Sequence, residues 1–235
     1  NTQMSIVFMG TPEWAIPSLK AVIETGIEVS AVLTQPDRRI GRKRELTPSQ
    51  VKQFALEQNL VVYTPENAKD KNTIEIISSL SPKIILVCAY GQILSQQFLD
   101  TPDIGCFNLH FSFLPKLRGA SPVQTAIASG LKKTGVSLQK IVLRLDSGPL
   151  VACSEELEIL KNDTTTKLGR RLSELGGDLI RQNLSNILEG NFTYKEQNET
   201  KATYCYIIKK KDGHVKWEKE TAQDIERKIR AFDPW

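Results

Sequence analysis

Asn108 and His110 are the residues of this sequence whose types and spacing best suit chemistry. Both lie in the stretch 106–110, which is typical of a short strand. Because strand side chains alternate between two faces, residues two apart point the same way. An amide donor and an imidazole would then lie together at a strand end, where open α/β sheets bind their ligands. The same two residues could instead be polar groups that cap a strand, and their spacing alone leaves both interpretations open.

Two features favour the chemical interpretation. His110 is one of only two histidines in the sequence. The segment 145–149, Leu-Asp-Ser-Gly-Pro, follows another predicted strand and supplies Asp146, a carboxylate that could orient the imidazole. We therefore predict a catalytic site formed by Asn108, His110 and Asp146. The other histidine, His214, follows a glycine in a predicted turn and is expected to be a surface residue.

The composition is that of an ordinary soluble protein. The chain has 235 residues, 40% of them hydrophobic and 25% charged, which is enough to bury a sizeable core. No apolar run approaches the roughly 18 residues that span a bilayer, and no signal-peptide pattern is present. We therefore predict a cytoplasmic protein with no membrane partner. The four cysteines lack CxxC spacing and are predicted to be small buried hydrophobic residues rather than metal ligands or disulfides, so no metal is expected.

The net charge of +4 is concentrated in one predicted loop, residues 35–47. Between Asp37 and Glu45 this loop carries five cations: Arg38, Arg39, Arg42, Lys43 and Arg44. A charge run of this kind is usually a solvated surface. It can also be the contact surface for a polyanion, which is the more specific hypothesis.

The chain begins with a β-α-β pattern. Residues 5–9 form an apolar run without polar alternation, as in a parallel strand that is buried on both faces. Thr11 is the predicted N-cap of a helix that begins at Pro12 and ends near residue 25, with Pro17 indicating a break or an offset start. A strand near residues 28–34 follows. No G-x-G-x-x-G sequence follows the first strand, so nicotinamide cofactors are disfavoured.

The alternation of strands and helices continues through most of the chain. Further strands are predicted near 61–63, 84–88, 106–110, 134–143 and 150–157, and helices near 48–58, 72–80, 95–100, 122–129 and 165–188. This order predicts an α/β fold with a doubly wound, mostly parallel sheet. Ser121 is the predicted N-cap of the helix at 122–129. Gly176-Gly177 is expected to weaken or kink the long helix.

The last part of the sequence differs in character. We predict a catalytic domain at 4–189, a polar linker at 190–203 and the start of a smaller, β-rich domain at 204–235. Strands at 204–208 and 214–217 around Lys211-Asp212-Gly213 have the pattern of a hairpin. A helix is predicted at 221–231. Because the sequence stops just after this helix, the second domain is expected to be incomplete.

The central motif resembles a known family. Gly-x-x-Asn-x-His-x-Ser-x-Leu-Pro-x-x-Arg-Gly at 105–119, followed by Leu-Asp-Ser-Gly-Pro, is similar to the signature of formyltransferases that use 10-formyltetrahydrofolate. Within that superfamily, several flanking motifs resemble the subfamily that formylates initiator methionyl-tRNA: Phe8-Met9-Gly10-Thr11-Pro12-Glu13, Gln35-Pro36-Asp37-Arg38, Ala89-Tyr90-Gly91 and Ile229-Arg230-Ala231-Phe232-Asp233-Pro234-Trp235. The resemblance runs from about Met4 to the last residue, and it implies a Rossmann-like sheet with a C-terminal β-barrel domain.

The resemblance also implies a mechanism. When an amine attacks a formyl carbon, negative charge develops on oxygen and positive charge on the amine. Asn108 would donate an N–H to the oxyanion of the tetrahedral intermediate. His110 would donate from a ring nitrogen and handle a proton, since an imidazole titrates near pH 6.5. Asp146 would orient His110, stabilise its cationic form or relay a proton through water.

Contacts with the two substrates follow from the same resemblance. Tyr90, Gly91 and Gln92, with the loop 143–149, would hold the folate. Ser112, Phe113, Leu114 and Pro115 resemble the turn that contacts tetrahydrofolate, although core packing explains Phe113 and Leu114 equally well. The basic loop would dock the tRNA acceptor end, with Arg42 the strongest candidate. The protein is expected to be a monomer.

Three alternatives remain open at this point. The same site could formylate a small amine such as glycinamide ribonucleotide or an amino sugar. For the nucleotide, Glu13 lies where a phosphate would need an anion-binding helix start. The site could also hydrolyse 10-formyltetrahydrofolate. Finally, the chain could be a non-catalytic nucleic-acid-binding module whose basic loop makes the contacts.

Overall fold

Strands and helices alternate along the chain, which is described by a computed structural model over residues 4–40 and 44–234. Arg42 and Lys43 therefore lie outside the described residues. The strands are β1 Ser5–Gly10, β2 Glu28–Leu33, β3 Arg38–Ile40, β4 Glu45–Thr47, β5 Val62–Tyr63, β6 Ile84–Cys88, β7 Gly105–His110, β8 Arg118–Gly119, β9 Lys133–Thr134, β10 Ser137–Lys140, β11 Leu150–Cys153, β12 Leu157–Glu158 and β13 Tyr204–Cys205. The helices are α1 Ile16–Glu24, α2 Gln50–Glu57, α3 Lys71–Ser79, α4 Gln96–Leu99, α5 Pro122–Ala128, α6 Thr165–Leu188 and α7 Ala222–Ala231.

The central sheet confirms the predicted doubly wound architecture. Within the described residues it has seven strands in the order β11-β10-β7-β6-β1-β2-β5. The strands β7, β6, β1, β2 and β5 pair in parallel with their neighbours. Strand β10 runs antiparallel to β7, and β11 runs antiparallel to β10. After β1 the chain moves towards β2, and after β6 it moves the other way, towards β7. The crevice between such strands is where ligands bind in folds of this class.

Both faces of the sheet are covered, which explains the uninterrupted apolar strands. In β1, Ile6 and Phe8 pack into the core cluster that contains α1, α2, α5 and α6 residues, and Val7 and Met9 pack into the cluster that contains α3 and α4 residues. Every residue of β1 is buried. A polar side chain on either face of this strand would be buried, which explains why the run from Ile6 to Met9 is apolar throughout.

The long helix α6 packs against α1 and has the predicted bounds. Thr164 is its N-cap, and the hydroxyl accepts a hydrogen bond from the Lys167 amide. The helix continues through Gly176 and Gly177, which are both buried. A Cβ at Gly177 would lie 3.0 Å from the Pro17 carbonyl oxygen, so glycine here lets the two helices approach closely. No helix in the described part of the chain is both long and apolar enough to cross a membrane.

The interpretation of residues 35–47 as a loop is wrong. Strands β3 and β4 pair in an antiparallel ladder, with Arg38 opposite Thr47 and Arg39 opposite Leu46. The two strands pair through backbone hydrogen bonds, and the side chains of Arg38, Arg39, Glu45 and Leu46 are exposed. Because neither face of the hairpin is buried, the sequence shows no alternation of apolar and polar residues here. We call β3, β4 and their connection the basic hairpin.

One predicted helix cap is wrong, and a second occupies the predicted position but makes a different hydrogen bond. The Thr11 hydroxyl donates to the Tyr90 carbonyl oxygen at 2.8 Å, and a 3-10 turn at Glu13–Ala15 precedes α1. Helix α1 therefore starts late, with Pro17 in its first turn, which is the predicted offset start. Ser121 is the N-cap residue of α5, as predicted, but its hydroxyl donates to the Tyr206 carbonyl oxygen at 2.5 Å and not to the α5 backbone. In both cases the hydroxyl that was expected to cap a helix donates instead to the carbonyl oxygen of a distant residue.

The hairpin predicted around Lys211-Asp212-Gly213 is wrong as well. Strand β13 pairs in parallel with β8, so its backbone partner is a distant segment rather than residues 214–217. The predicted turn lies in a 3-10 segment, Lys210–Gly213, in which the Asp212 carboxylate accepts from the Lys209 amide at 2.7 Å. Helix α7 is present as predicted.

Candidate active site

A cavity of about 600 Å³ lies at the carboxyl ends of β6 and β7. Its volume is in the range of small-molecule sites. It lies at the carboxyl-end edge of the sheet, next to the reversal of strand order between β1 and β6. Asn108, His110 and Asp146 all line it. The structure thus brings together the three residues that the sequence nominates, one pair from β7 and the third from the loop between β10 and β11.

The ring of His110 is held in one orientation. The side chain is buried, and Nε2 lies 2.7 Å from the Leu117 carbonyl oxygen. Since a carbonyl can only accept, Nε2 carries a hydrogen. Nδ1 faces Asp146 with 3.7 Å between Nδ1 and Oδ2, which is too long for a hydrogen bond. In the neutral ring, Nδ1 is therefore a free proton acceptor beside a carboxylate.

The carboxylate of Asp146 is fixed by two donors. Oδ2 accepts from the Gly119 amide at 2.8 Å, and Oδ1 accepts from Nε2 of Gln139 at 2.8 Å. The Asp146 backbone has φ +46°, a conformation that aspartate tolerates better than most residues. The position of the carboxylate is thus set by groups outside its own loop.

Gly119 can supply that amide only because it lacks a side chain. Its φ is +123°, and a Cβ there would lie 1.9 Å from the Cys205 carbonyl oxygen. The close approach comes from the pairing of β8 with β13. A glycine in the central motif is therefore required by the contact that holds Asp146.

Asn108 lies in β7 between two core residues. Phe107 and Leu109 are buried in the main core cluster, so Asn108 and His110 share the other face of the strand, as predicted. Asn108 is partly exposed to the cavity and is paired in register with Val87 and Gln139. Its amide can donate to a ligand in the cavity without titrating.

Tyr90, Gly91 and Gln92 also line the cavity, as predicted, but much of their polarity is already used. The Tyr90 carbonyl oxygen accepts from Thr11 and from Nε2 of Gln35. Oε1 of Gln92 accepts from the Ala68 amide at 2.7 Å. The Tyr90 hydroxyl is buried, has no hydrogen-bond partner among the described residues, and has its pKa raised to about 12 by burial.

Ser112, Phe113, Leu114 and Pro115 are not brought to this cavity. The Ser112 hydroxyl donates to the Lys116 carbonyl oxygen at 2.6 Å, and the Leu114 amide donates to Oγ of Ser137 at 3.0 Å. The Phe113 ring lies so close to Gly135 that a Cβ there would be 2.2 Å from it. These contacts fix the turn that follows β7. That it also contacts a folate stays a prediction.

In the basic hairpin, Arg38, Arg39 and Arg44 are exposed. Nη2 of Arg38 donates to Oε1 of Gln35 at 3.2 Å, and Gln35 in turn donates to the Tyr90 carbonyl oxygen. The base of the hairpin is therefore joined to the cavity rim.

Sequence reasoning missed a buried polar network behind Asp146. Arg118 has no exposed surface and contacts Gln197 and Glu199, and Gln197 contacts the Asp146 turn. Gln139 could have indicated such a network, because it is a polar residue in a predicted strand. In the structure it is buried and pairs with Asn108. Nothing in the sequence indicated that residues 197–199 return to the site.

Three of the four cysteines are buried, as predicted, whereas Cys153 is exposed because it ends the edge strand β11. Burial raises the pKa of the Cys88 and Cys106 thiols to about 12, so both remain protonated at neutral pH. They are packing residues rather than nucleophiles.

The fold and the amide–imidazole–carboxylate site together define an α/β enzyme equipped to stabilise an oxyanion and to move a proton. The chain belongs to the formyl transferase family: the family model described as "Formyl transferase" matches residues 4–184, and the model "Formyl transferase, C-terminal domain" matches residues 207–235. The resemblance seen in the sequence is confirmed.

Curated relatives carry a more specific name. A methionyl-tRNA formyltransferase of Marinobacter nauticus is 42% identical over 99% of this chain, and one of Bacillus subtilis is 40% identical over 98%. This chain spans 74% and 72% of the length of those two proteins.

Solved structures agree in fold. A 4-N formyltransferase from Francisella tularensis matches with a TM-score of 0.78 at 17% identity, covering 100% of this chain and 91% of that one. An N-formyltransferase from Helicobacter canadensis, crystallised with folinic acid and dTDP-3-aminofucose, matches with a TM-score of 0.76 at 23% identity, covering 97% and 80%.

Proposed function

We propose that this protein transfers a formyl group from 10-formyltetrahydrofolate to the α-amino group of initiator methionyl-tRNA. The observation that carries the proposal is the convergence of Asn108, His110 and Asp146 on one cavity at the carboxyl ends of β6 and β7. The relatives at 40–42% identity support the choice of acceptor, since they are methionyl-tRNA formyltransferases. A role in translation initiation implies that the protein acts in the cytoplasm.

The donor fits the cavity by size and by lining. Apolar side chains from the loop after β10, including Ile141, Val142 and Leu143, line one side of it. The strand-end segment at Tyr90–Gln92 lines another. A mostly apolar lining with a few polar groups is typical of sites that bind small organic ligands. The folate supplies an electrophilic formyl carbon on a nitrogen leaving group.

The three residues then divide the work. The amine adds to the formyl carbon, and the tetrahedral intermediate then collapses, which breaks the C–N bond to the carrier while the proton lost by the amine is delivered to the carrier nitrogen. Asn108 donates an N–H to the developing oxyanion. His110 takes the proton at Nδ1, because Nε2 already donates to Leu117. Asp146, held by Gly119 and Gln139, stabilises the imidazolium that results.

The basic hairpin supplies the contact surface for tRNA. Arg38, Arg39 and Arg44 are exposed on it, and Arg42 and Lys43 add to its charge. Arginine and lysine contacts to phosphates provide affinity with little sequence information. Because Gln35 joins the hairpin to the cavity rim, a tRNA end bound there would lie beside the site.

We further propose a catalytic domain at 4–189, a linker at 190–203 and a second domain from 204 onward. The two family models, matching 4–184 and 207–235, support this division. All three catalytic residues come from one chain, which supports activity as a monomer.

The proposal is tested by offering acceptors in parallel. Purified protein and 10-formyltetrahydrofolate are incubated with methionyl-tRNA, with glycinamide ribonucleotide, with a nucleotide-linked amino sugar, or with no acceptor. We expect formylation of methionyl-tRNA alone. Transfer to a small amine would overturn the acceptor, formate release without any acceptor would indicate a hydrolase, and tRNA binding without folate chemistry would indicate a binding module.

A further inference from the structure

Gln197 lies far from the catalytic residues in sequence but contacts the turn that carries Asp146. The side chain is buried, with 8% of its surface exposed. Nε2 donates to the Asp146 carbonyl oxygen at 2.9 Å and to the Gly148 carbonyl oxygen at 2.7 Å. One amide group therefore bridges both sides of this turn.

The other end of the Gln197 amide is fixed by a buried cation. Oε1 accepts from Nε of Arg118 at 3.1 Å and from Nη2 at 2.8 Å. Since a guanidinium can only donate, the amide cannot be flipped without breaking these hydrogen bonds. The orientation that Arg118 imposes is the one in which Nε2 points at the two carbonyls.

The Asp146 turn needs such support. The residue has φ +46°, outside the broadly allowed regions, and its neighbours Leu143 and Leu145 are exposed. The bonds from Gly119 and Gln139 hold the carboxylate but not the backbone that bears it. Arg144 ties an earlier part of the turn to Glu199, whereas Gln197 donates to the Asp146 backbone itself.

We infer that Gln197 is a positioning residue for formyl transfer, acting through the Asp146 turn. This inference rests on the proposed function, because it assigns Asp146 a role in the reaction. Arg118 orients the Gln197 amide, and Gln197 keeps the Asp146 carboxylate beside His110, where it stabilises the imidazolium. The segment after α6 thereby contributes to the active site without touching substrate.

A purely structural role makes a different prediction. If Gln197 serves only to satisfy the buried charge of Arg118, any acceptor at this position suffices. Gln197→Glu separates the two roles, because its carboxylate still accepts from Arg118 but presents an oxygen, not an N–H, to the two carbonyls. Gln53→Glu is the matched control, because it makes the same substitution at an exposed glutamine of α2.

The experiment measures kcat, both KM values and thermal unfolding for the parent protein and the two variants. We expect Gln197→Glu to fold, to keep both KM values within about twofold and to lose at least tenfold in kcat. Gln53→Glu is expected to keep the unfolding temperature of the parent and a kcat within about twofold. Gln197→Met, which lacks both donor and acceptor, is expected to lose at least as much kcat as Gln197→Glu.

Several outcomes overturn the inference. A Gln197→Glu protein with parental kcat would make Gln197 a partner of Arg118 only. Loss of folding in both Gln197 variants would make it a residue of stability alone. A parent protein that transfers no formyl group would overturn the proposed function and this inference with it, whereas an active parent with an active Gln197→Glu variant overturns this inference alone.

Discussion

Around Asp146, buried groups hold the turn and its carboxylate with several hydrogen bonds, whereas the basic hairpin presents arginines that are largely exposed. The Asp146 carboxylate has two donors and its backbone has a third from Gln197. Among the described residues of the hairpin, the Arg39 side chain donates to the Arg44 carbonyl oxygen. Several hydrogen bonds therefore position the groups around Asp146, whereas the hairpin presents exposed charge.

The difference follows from what each region has to do. Proton transfer and oxyanion stabilisation depend on donor–acceptor distances, so they need preorganised groups. Attraction to a phosphate backbone depends on charge and reach, and it tolerates movement. The comparison predicts that substitutions near Asp146 change kcat, and that substitutions in the hairpin change affinity for the acceptor.

The largest effect is expected at Asn108. Asn108→Ala removes the N–H that faces the developing oxyanion, and the loss of one such donor lowers kcat by about 10²–10³-fold. Steady-state kinetics with both substrates should show little change in KM. Asn191→Ala, at an exposed asparagine that contacts Glu189, is the control and should behave as the parent. Equal kcat values for Asn108→Ala and parent would remove Asn108 from the mechanism.

Gly119→Ala should affect both stability and rate. A Cβ there would overlap the Cys205 carbonyl oxygen, so β8 and β13 would have to move apart. That movement would displace the Gly119 amide that donates to Asp146. Gly26→Ala is the matched control, because Gly26 also has positive φ but open space around its Cβ position. The control should lose about 1–2 kcal/mol of unfolding free energy from backbone strain alone.

We expect Gly119→Ala to lose more unfolding free energy than Gly26→Ala and, in addition, at least tenfold in kcat. Urea unfolding and steady-state assays measure the two quantities. Similar losses in the two variants, with kcat unchanged, would show that the approach of β13 to β8 has no bearing on catalysis.

A smaller and different effect is expected in the hairpin. Arg39→Ala should raise KM for methionyl-tRNA several-fold at unchanged kcat, because it removes a cation that neutralises phosphate rather than a catalytic group. The slope of log affinity against log salt should fall in magnitude by about 0.7–0.9, since the variant neutralises one phosphate fewer. Lys71→Ala, at an exposed lysine on α3, is the control. A fall in kcat instead would place the hairpin in the catalytic machinery.

The smallest effect concerns pH. The hydrogen bond from Arg118 and the charges of Arg118 and Arg144 lower the pKa of Glu199. A lowered folded-state pKa adds stability above the ordinary glutamate pKa of about 4.3, and this stability is lost as pH falls through the folded value. Glu199→Gln should therefore be less stable than the parent at pH 7, and the difference should shrink below about pH 4.

Urea unfolding at both pH values and low salt measures this difference. The half-exposed position of Glu199 keeps it small, since solvent screens such pairs. Glu75→Gln, in the exposed pair with Lys71, is the control and should change little at either pH. A stability difference for Glu199→Gln that persists unchanged at low pH would contradict the assignment.

Much of the fold could be predicted from local sequence. The all-buried run of β1 and the capped amphipathic helix α6 carry their own signals, and α6 has the predicted bounds. Asn108 and His110 could be paired because strand geometry fixes their common face. Asp146 could be proposed because the segment around it follows a strand.

What failed depends on contacts between distant segments. Thr11 and Ser121 bond carbonyls of residues 90 and 206 instead of their own helices, and no local pattern shows that. The pairing of β13 with β8 and the return of Gln197 to the Asp146 turn are also non-local. The supporting residues of the site were missed for this reason, whereas the three residues proposed to react do line one cavity.

The central claim is that Asn108, His110 and Asp146 together formylate methionyl-tRNA. The most direct test is a single-turnover reaction with enzyme in excess, followed by hydrolysis of the tRNA ester and mass-spectrometric detection of N-formylmethionine. We expect this product with the parent protein and a rate at least a hundredfold lower with Asp146→Asn. Unmodified methionine with the parent, or equal rates for the two proteins, would contradict it.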